Sequence, residues 1–253
     1  FKQKTAYEML RSLVGSEMCI RDRYCIGCRV EGVFLCEDCR SLLDISEHNY
    51  CLCETKPLRL PAEQKSGKCS RCSGKKLSGL YFALSYKEKT LTRKLIHQFK
   101  YEPYIKGLAP VLANILIEHF ILTKKNTDKI WNNGVLVPVP LDHKKLKSRG
   151  YNQSEELAIE LSKILKIPVI PNFLIKTKST PSQMGLKREE RIKNLQGSFT
   201  INKNCVKSDL TQFSKIFLVD DVYTTGSTME ECARVLLDAG AKSVWGIAIA
   251  REG

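Results

Sequence analysis

The placement of cysteine constrains this chain more than any other feature. Nine of its eleven cysteines fall between Cys19 and Cys72, while Cys205 and Cys232 stand alone. Six of the nine form three C-x2-C pairs, Cys25/Cys28, Cys36/Cys39 and Cys69/Cys72, and Cys51/Cys53 form a C-x-C pair. A C-x2-C turn aims two thiolates at one point, and two such turns complete a tetrahedral zinc shell. The spacing predicts one structural Zn²⁺ on Cys25, Cys28, Cys36 and Cys39, whose turns are joined by a short hairpin-like spacer. A second would use Cys51, Cys53, Cys69 and Cys72; C-x-C is the poorer knuckle, and spacing alone leaves cross-pairing between the sets open. A module of about 50 residues buries too little surface to fold on hydrophobicity alone, so metal must supply part of its folding free energy. The rival is a disulfide-rich secreted module. It is disfavoured because no signal peptide precedes the cluster and the rest reads as an intracellular α/β protein, which makes the cytoplasm the expected compartment.

The texture of the sequence divides the chain at three places. Residues 1–23 have no start Met and no clean period, and they read as an extension, of the kind translated adapter sequence produces, that takes no part in the fold. Their rival reading is a basic amphipathic segment with Leu10, Leu13 and Val14 on one face, but a charge of +2 binds a membrane surface weakly. Residues 24–76 are the cysteine module. Residues 77–253 alternate strand and helix signals: GLYFALSY as a strand, TLTRKLIHQFKY as a helix with Leu91, Leu95, Ile96 and Phe99 on one face, and a helix after Gly107. GVLVPVP, residues 134–140, reads as a buried parallel strand stopped by its prolines, followed by a helix over 152–165 and a strand around 168–170. SVWGIAIAR reads as the last strand. This alternation predicts a mostly parallel sheet with helices on both faces. The stretch Leu112–Leu122 is broken by Asn114, Glu118 and His119, so no transmembrane helix is expected.

The chemistry is concentrated where the strand Ile216–Val219 feeds Asp220, Asp221, Val222, Tyr223, Thr224, Thr225, Gly226, Ser227 and Thr228, with a helix directly after. Such a loop offers consecutive backbone N–H groups and hydroxyls at a helix N-terminus, whose partial positive charge attracts phosphate. Gly226 permits positive φ or close backbone approach. The two carboxylates sit at the C-terminal end of a strand, where open α/β sheets bind ligands, and could accept from vicinal hydroxyls or hold Mg²⁺ through water. A plain strand-to-helix turn would need one capping residue, not five small polar ones. The excess of 41 Lys and Arg over 27 Asp and Glu, a net charge of +14, favours nucleotides, phosphorylated sugars or nucleic acid as partners. His48, His97, His119 and His143 have no metal-motif or triad-like setting.

The string from Ile216 to Thr228 resembles the PRPP (5-phosphoribosyl 1-pyrophosphate) loop of type I phosphoribosyltransferases: an apolar strand, two acids, an apolar residue, one variable position, then T-T-G-x-T. VPVPLDHKKLKSRGYNQSEELA and QMGLKREERIKNLQGSF, with the cysteine pairs, resemble the ComF family, phosphoribosyltransferase-like proteins linked to DNA uptake in natural competence. The likeness runs from about Tyr24 to the end and departs at Cys51/Cys53, where the family usually shows C-x2-C. It implies a type I phosphoribosyltransferase fold with a small N-terminal zinc module. It also implies that Asp220 and Asp221 hold the ribose 2′ and 3′ hydroxyls, that Thr224 to Thr228 wrap the 5′-phosphate, and that Mg²⁺ accompanies PRPP. Pro138–Leu141 would be the pyrophosphate loop. Arg149, after the basic run His143, Lys144, Lys145 and Lys147, would contact pyrophosphate oxygens. Residues 177–191 would form a hood over PRPP, with Lys187, Arg188 and Arg191 neutralising the leaving group. Lys100 and Tyr101 are placed in the same cleft or at a core edge. The expected function is a PRPP-dependent transferase of unassigned acceptor, working with competence and DNA-processing proteins. The alternative is a protein that handles single-stranded DNA through basic runs and exposed aromatics such as Tyr101, Tyr104 and Tyr151, with PRPP as regulator or relic.

Overall fold

The computed structural model describes residues 23–61, 64, 66–125, 128–177, 195–202 and 210–252. The chain divides into two compact units, one ending at Leu43 and the other starting at Asp44. The smaller unit holds the first cysteine set and one short helix, α1 (Glu37–Ser41), whose N-cap Cys36 accepts the Cys39 N–H on its sulfur at 3.4 Å. Texture changes near residue 76, but packing divides the chain after Leu43. Cys51, Leu52 and Cys53 lie in the same hydrophobic core as Leu80, Phe82 and Tyr223. The expected extension falls, except for Arg23, outside the described residues.

The larger unit begins with the antiparallel pair β1 (Asn49–Tyr50) and β2 (Arg59–Leu60). There follow β3 (Gly79–Ser85), α2 (Leu91–Lys100), α3 (Ala109–Leu122), α4 (Asp128–Trp131), β4 (Gly134–Pro138), α5 (His143–Arg149) and α6 (Gln153–Leu165). After them come β5 (Leu174–Lys176), β6 (Phe199–Ile201), β7 (Lys215–Tyr223), α7 (Ser227–Asp238) and β8 (Val244–Arg251). Strands β3, β8, β7 and β4 form, in that order, a parallel sheet. Strands of this kind are buried on both faces, which is why their sequences run apolar rather than alternating. The expected strand at 168–170 is reduced to a parallel bridge from Val169 to Leu136.

Local signals set the helix ends. Thr90 caps α2 by accepting the Arg93 N–H at 3.3 Å, and the helix buries Leu95, Ile96 and Phe99. Asn152 caps α6 by accepting from Ser154 N at 3.1 Å. At the end of α7, Gly240 (φ +97°) donates to Leu237 O and Ala241 donates to Leu236 O, both at 3.0 Å. That paired closure requires a left-handed residue, which glycine supplies without a Cβ clash.

The topology places a crevice at one end of the sheet. From β7 the chain crosses through α7 to β8 on one side; from β4 it crosses through α6 to Val169 on the other. The C-terminal ends of β4 and β7 therefore face the switch point where ligands of open α/β sheets bind. Among the described residues no helix is long and apolar enough to cross a membrane.

Candidate functional site

β7 runs further than its apolar stretch suggests. Asp220, Val222 and Tyr223 pair with Ala248, Ala250 and Arg251 of β8, so both acids belong to the strand and the loop begins at Thr224. Asp220 Oδ1 accepts from Ser154 Oγ at 3.0 Å and from the Asp221 N–H at 2.9 Å. Asp221 is buried, and Lys100 Nζ donates to its Oδ1 at 2.9 Å. Burial and, after it, the Asp221 charge push the Asp220 carboxyl up to about 7, against the opposing pull of Lys100. Burial disfavours the Lys100 ammonium, yet Asp221 and Asp220 more than offset it and hold its pKa above that of an ordinary lysine. The pair is thus an acidic centre with one cation already in place.

The loop after Tyr223 is shaped by glycine. Gly226 has φ +76°, and a Cβ there would lie 2.2 Å from the Tyr223 hydroxyl. Gly226 provides no side-chain cap for α7. Thr225 Oγ1 and Ser227 Oγ lie 2.8 Å apart, and Thr225 Oγ1 accepts the Ser227 N–H at 3.4 Å. Thr224, Thr225, Ser227 and Thr228 are all half-buried. A loop of hydroxyls at the start of a twelve-residue helix is suited to a phosphate dianion. Tyr223 differs from its neighbours: it is 1% exposed, its hydroxyl accepts from Lys75 Nζ at 3.2 Å, and its ring supports the loop from beneath. Val222, half-buried, continues the strand.

On the facing side, Asp142 caps α5 by accepting from Lys144 N at 2.9 Å, and Gly150 (φ +80°) closes it. Arg149, in its last turn, donates to Gln153 Oε1 at 2.9 Å and sits 5.5 Å above the Tyr101 ring. Burial lowers the pKa of Lys145, with Arg149 and Lys100 next; burial likewise lowers that of Lys176, with Lys145 next. Lys100, Lys145 and Lys176 thus bring positive charge toward the acids from α2, α5 and β5. Lys187, Arg188 and Arg191 lie outside the described residues. Sequence reasoning missed Ser154 and Lys176, whose only signals are a serine in the first turn of α6 and a lysine ending a three-residue strand. Tyr151 is not an exposed aromatic: it is 8% exposed and donates to Phe99 O at 2.6 Å, whereas Tyr101 is 39% exposed.

Both cysteine sets gather as their spacing suggested, with the four sulfurs of each within 4.8 Å of one another. Sulfurs on a tetrahedral zinc stand about 3.8 Å apart for Zn–S bonds of about 2.3 Å. Cys25–Cys36 and Cys28–Cys36 are separated by 3.6 and 3.5 Å, and Cys53–Cys69 and Cys69–Cys72 by 3.5 and 3.7 Å. Backbone N–H groups also aim at the sulfurs: Cys36 N at Cys25, Leu58 N at Cys51 and Cys69 N at Cys72. Burial and the three neighbouring sulfurs push Cys39 up to about 12, and the same causes act on Cys53. Four thiols this close resist joint ionisation unless a cation compensates them, so both sets fit zinc.

A family model described as "Phosphoribosyl transferase domain" matches residues 146–252. DNA utilization protein YhgH of Escherichia coli (strain K12) is 30% identical over 185 residues, covering 73% of this chain and 78% of that protein. Competence protein F of Haemophilus influenzae is 34% identical over 156 residues, 61% of this chain and 66% of its own. Competence protein ComFC of Bacillus subtilis is 32% identical over 109 residues, 42% and 39% of the two chains. Sheet order, paired acids, the hydroxyl loop and these matches define a type I phosphoribosyltransferase-like protein. Within that class, the chain belongs to the ComF family.

Proposed function

We propose that the chain binds PRPP with Mg²⁺ and acts, in the cytoplasm, in the competence or DNA-utilization role for which its relatives are named. The observation that carries this reading is the pair Asp220/Asp221 near the end of the central strand, two residues before a glycine-shaped hydroxyl loop at the start of α7. Asp220 and Asp221 accept from the ribose hydroxyls, and the Thr224–Thr228 segment takes the 5′-phosphate. Arg149, with Lys187 and Arg188 assigned by family resemblance, faces the pyrophosphate. In transfer, the bond from the anomeric carbon to pyrophosphate breaks, an acceptor atom bonds to that carbon, and pyrophosphate leaves with the electron pair. Charge-compensating groups that act on the leaving oxygens speed that step most. The acceptor is unassigned. Zn²⁺ in each cysteine set holds its turns together. A second reading, single-stranded DNA handled near the same crevice, is favoured by the exposed Tyr101 ring beneath Arg149, which together could stack and neutralise a nucleotide.

The test is calorimetric titration of Mg²⁺·PRPP into the zinc-loaded chain and into an Asp220→Asn/Asp221→Asn variant. The parent should show saturable binding at one site. The variant should bind at least about 100-fold more weakly with unchanged zinc content and circular dichroism, because two charge-assisted hydrogen bonds of about 1.5–3 kcal/mol each are lost. A folded, zinc-loaded parent that shows no binding would overturn the reading.

A further inference from the structure

The opposite end of the sheet carries a second cavity, of about 510 Å³, bordered by the first residues of β7 and β8 and by the β1–β2 pair. Two kinds of side chain dominate its chemistry. Tyr50, Tyr81 and Trp245 supply aromatic surface, and Lys125, Lys129 and Lys215 supply charge. The Trp245 ring is stacked on Tyr81, with centroids 5.1 Å apart and planes 13° from parallel. It also lies so close to Gly79 that a Cβ there would come within 2.3 Å of it. The ring is therefore fixed, while its residue stays half-buried and open to the cavity.

Among the described lining residues the charge is of one sign. The described lining holds three lysines and no carboxylate. By contrast, the larger cleft of about 730 Å³ beside α7 sets Arg71, Lys75, Lys76 and Arg234 against Glu54, Glu230 and Glu231. Burial, followed by the charge of Lys125, lowers the pKa of Lys215, whose Nζ lies 3.5 Å from Ile130 O. The ammonium groups of this lining attract an anionic group, and its rings offer a flat apolar face. A ligand with a flat aromatic part and an anionic part meets both demands, and a cavity of this size accepts one.

We propose that this cavity binds a nucleotide, with the base against Trp245 and Tyr50 and the phosphate at Lys125, Lys129 and Lys215. The site is separate from the crevice holding Asp220 and Asp221, since Lys215 begins β7 and the acids lie near its end. The nucleotide can be free or part of a strand; the chemistry is shared.

The test is tryptophan fluorescence of the full zinc-loaded chain, titrated with deoxyadenosine 5′-monophosphate in one arm and a twelve-residue single-stranded oligonucleotide in the other. Quenching is expected in at least one arm, and the productive arm identifies the source. Deoxyadenosine, lacking phosphate, should bind at least about tenfold more weakly. Trp245→Phe should abolish the quenching, which assigns it to that ring rather than to the buried Trp131. Lys129→Gln/Lys215→Gln should weaken binding at least about tenfold while calorimetric Mg²⁺·PRPP binding stays at the parent value, so failure here and failure of the phosphoribosyl reading are distinguishable. Absence of quenching in both arms, or quenching untouched by the lysine substitutions, would overturn the proposal.

Discussion

Replacing Lys100 with methionine should destabilise the larger unit by about 3 kcal/mol at pH 8, because removing the half-buried ammonium strands the buried Asp221 carboxylate. Lys100 Nζ is 2.9 Å from Asp221 Oδ1, and the Asp221 side chain is 8% exposed. Asp220 stands beside it with its carboxyl already pushed up to about 7. Without the ammonium, Asp220 can relieve the repulsion only by taking up a proton. A carboxyl whose folded pKa is raised costs stability above its unfolded value of about 4, and the cost grows until pH reaches the folded value. The loss should therefore be largest at pH 8 and shrink toward pH 5. A Lys100→Met/Asp221→Asn double variant should recover about 2 kcal/mol of it, since neither charge is then left uncompensated. Urea unfolding of the zinc-loaded proteins at both pH values measures this. A single variant that unfolds at the parent midpoint at pH 8 would show that the pair carries no such weight.

Arg251→Met should release the second cysteine set from the sheet. The Arg251 guanidinium, 2% exposed, donates to Cys51 O at 2.8 Å and to Cys53 O, and it lies 5.5 and 5.6 Å from the Phe82 and Tyr223 rings. Methionine fills the space between the rings but leaves two buried carbonyls without donors, at about 1–3 kcal/mol each. Relief of burying a charge offsets part of that, since burial lowers the pKa of Arg251, so the net loss should be about 2–3 kcal/mol. Zinc release to a chromogenic chelator gives a sharper readout. The Cys51, Cys53, Cys69 and Cys72 phase should accelerate at least about tenfold, and the Cys25, Cys28, Cys36 and Cys39 phase should keep the parent rate. Two unchanged phases would contradict the clamp.

Both predictions depend on partners that no local pattern reveals. The strand, the acids and the glycine-shaped loop were legible because a buried parallel strand must be apolar and a left-handed turn into α7 calls for glycine. Cysteine spacing likewise announced both sulfur clusters, including the C-x-C set. What stayed hidden was pairing across the chain: Ser154 reaches Asp220 across 66 residues, Lys100 reaches Asp221 across 121, and Arg251 reaches Cys51 across 200. Tyr223 shows the other limit. Its place within the motif suggests ligand contact, yet the ladder to Arg251 carries β7 past the acids and turns this ring inward beneath Gly226. Tyr151 follows the basic run in the turn between α5 and α6, but its hydroxyl is committed to the Phe99 carbonyl.

The measurement that bears most directly on the central claim is hydrogen exchange by mass spectrometry on the zinc-loaded chain, with and without saturating Mg²⁺·PRPP. If the end of β7 and the start of α7 hold the phosphoribosyl group, amides in residues 223–230 should exchange at least about tenfold more slowly with ligand, because donors at a helix start become bonded to phosphate. Residues 25–39 should exchange at the same rate in both samples. Protection confined to any other segment, with 223–230 unchanged at saturation, would contradict the assignment.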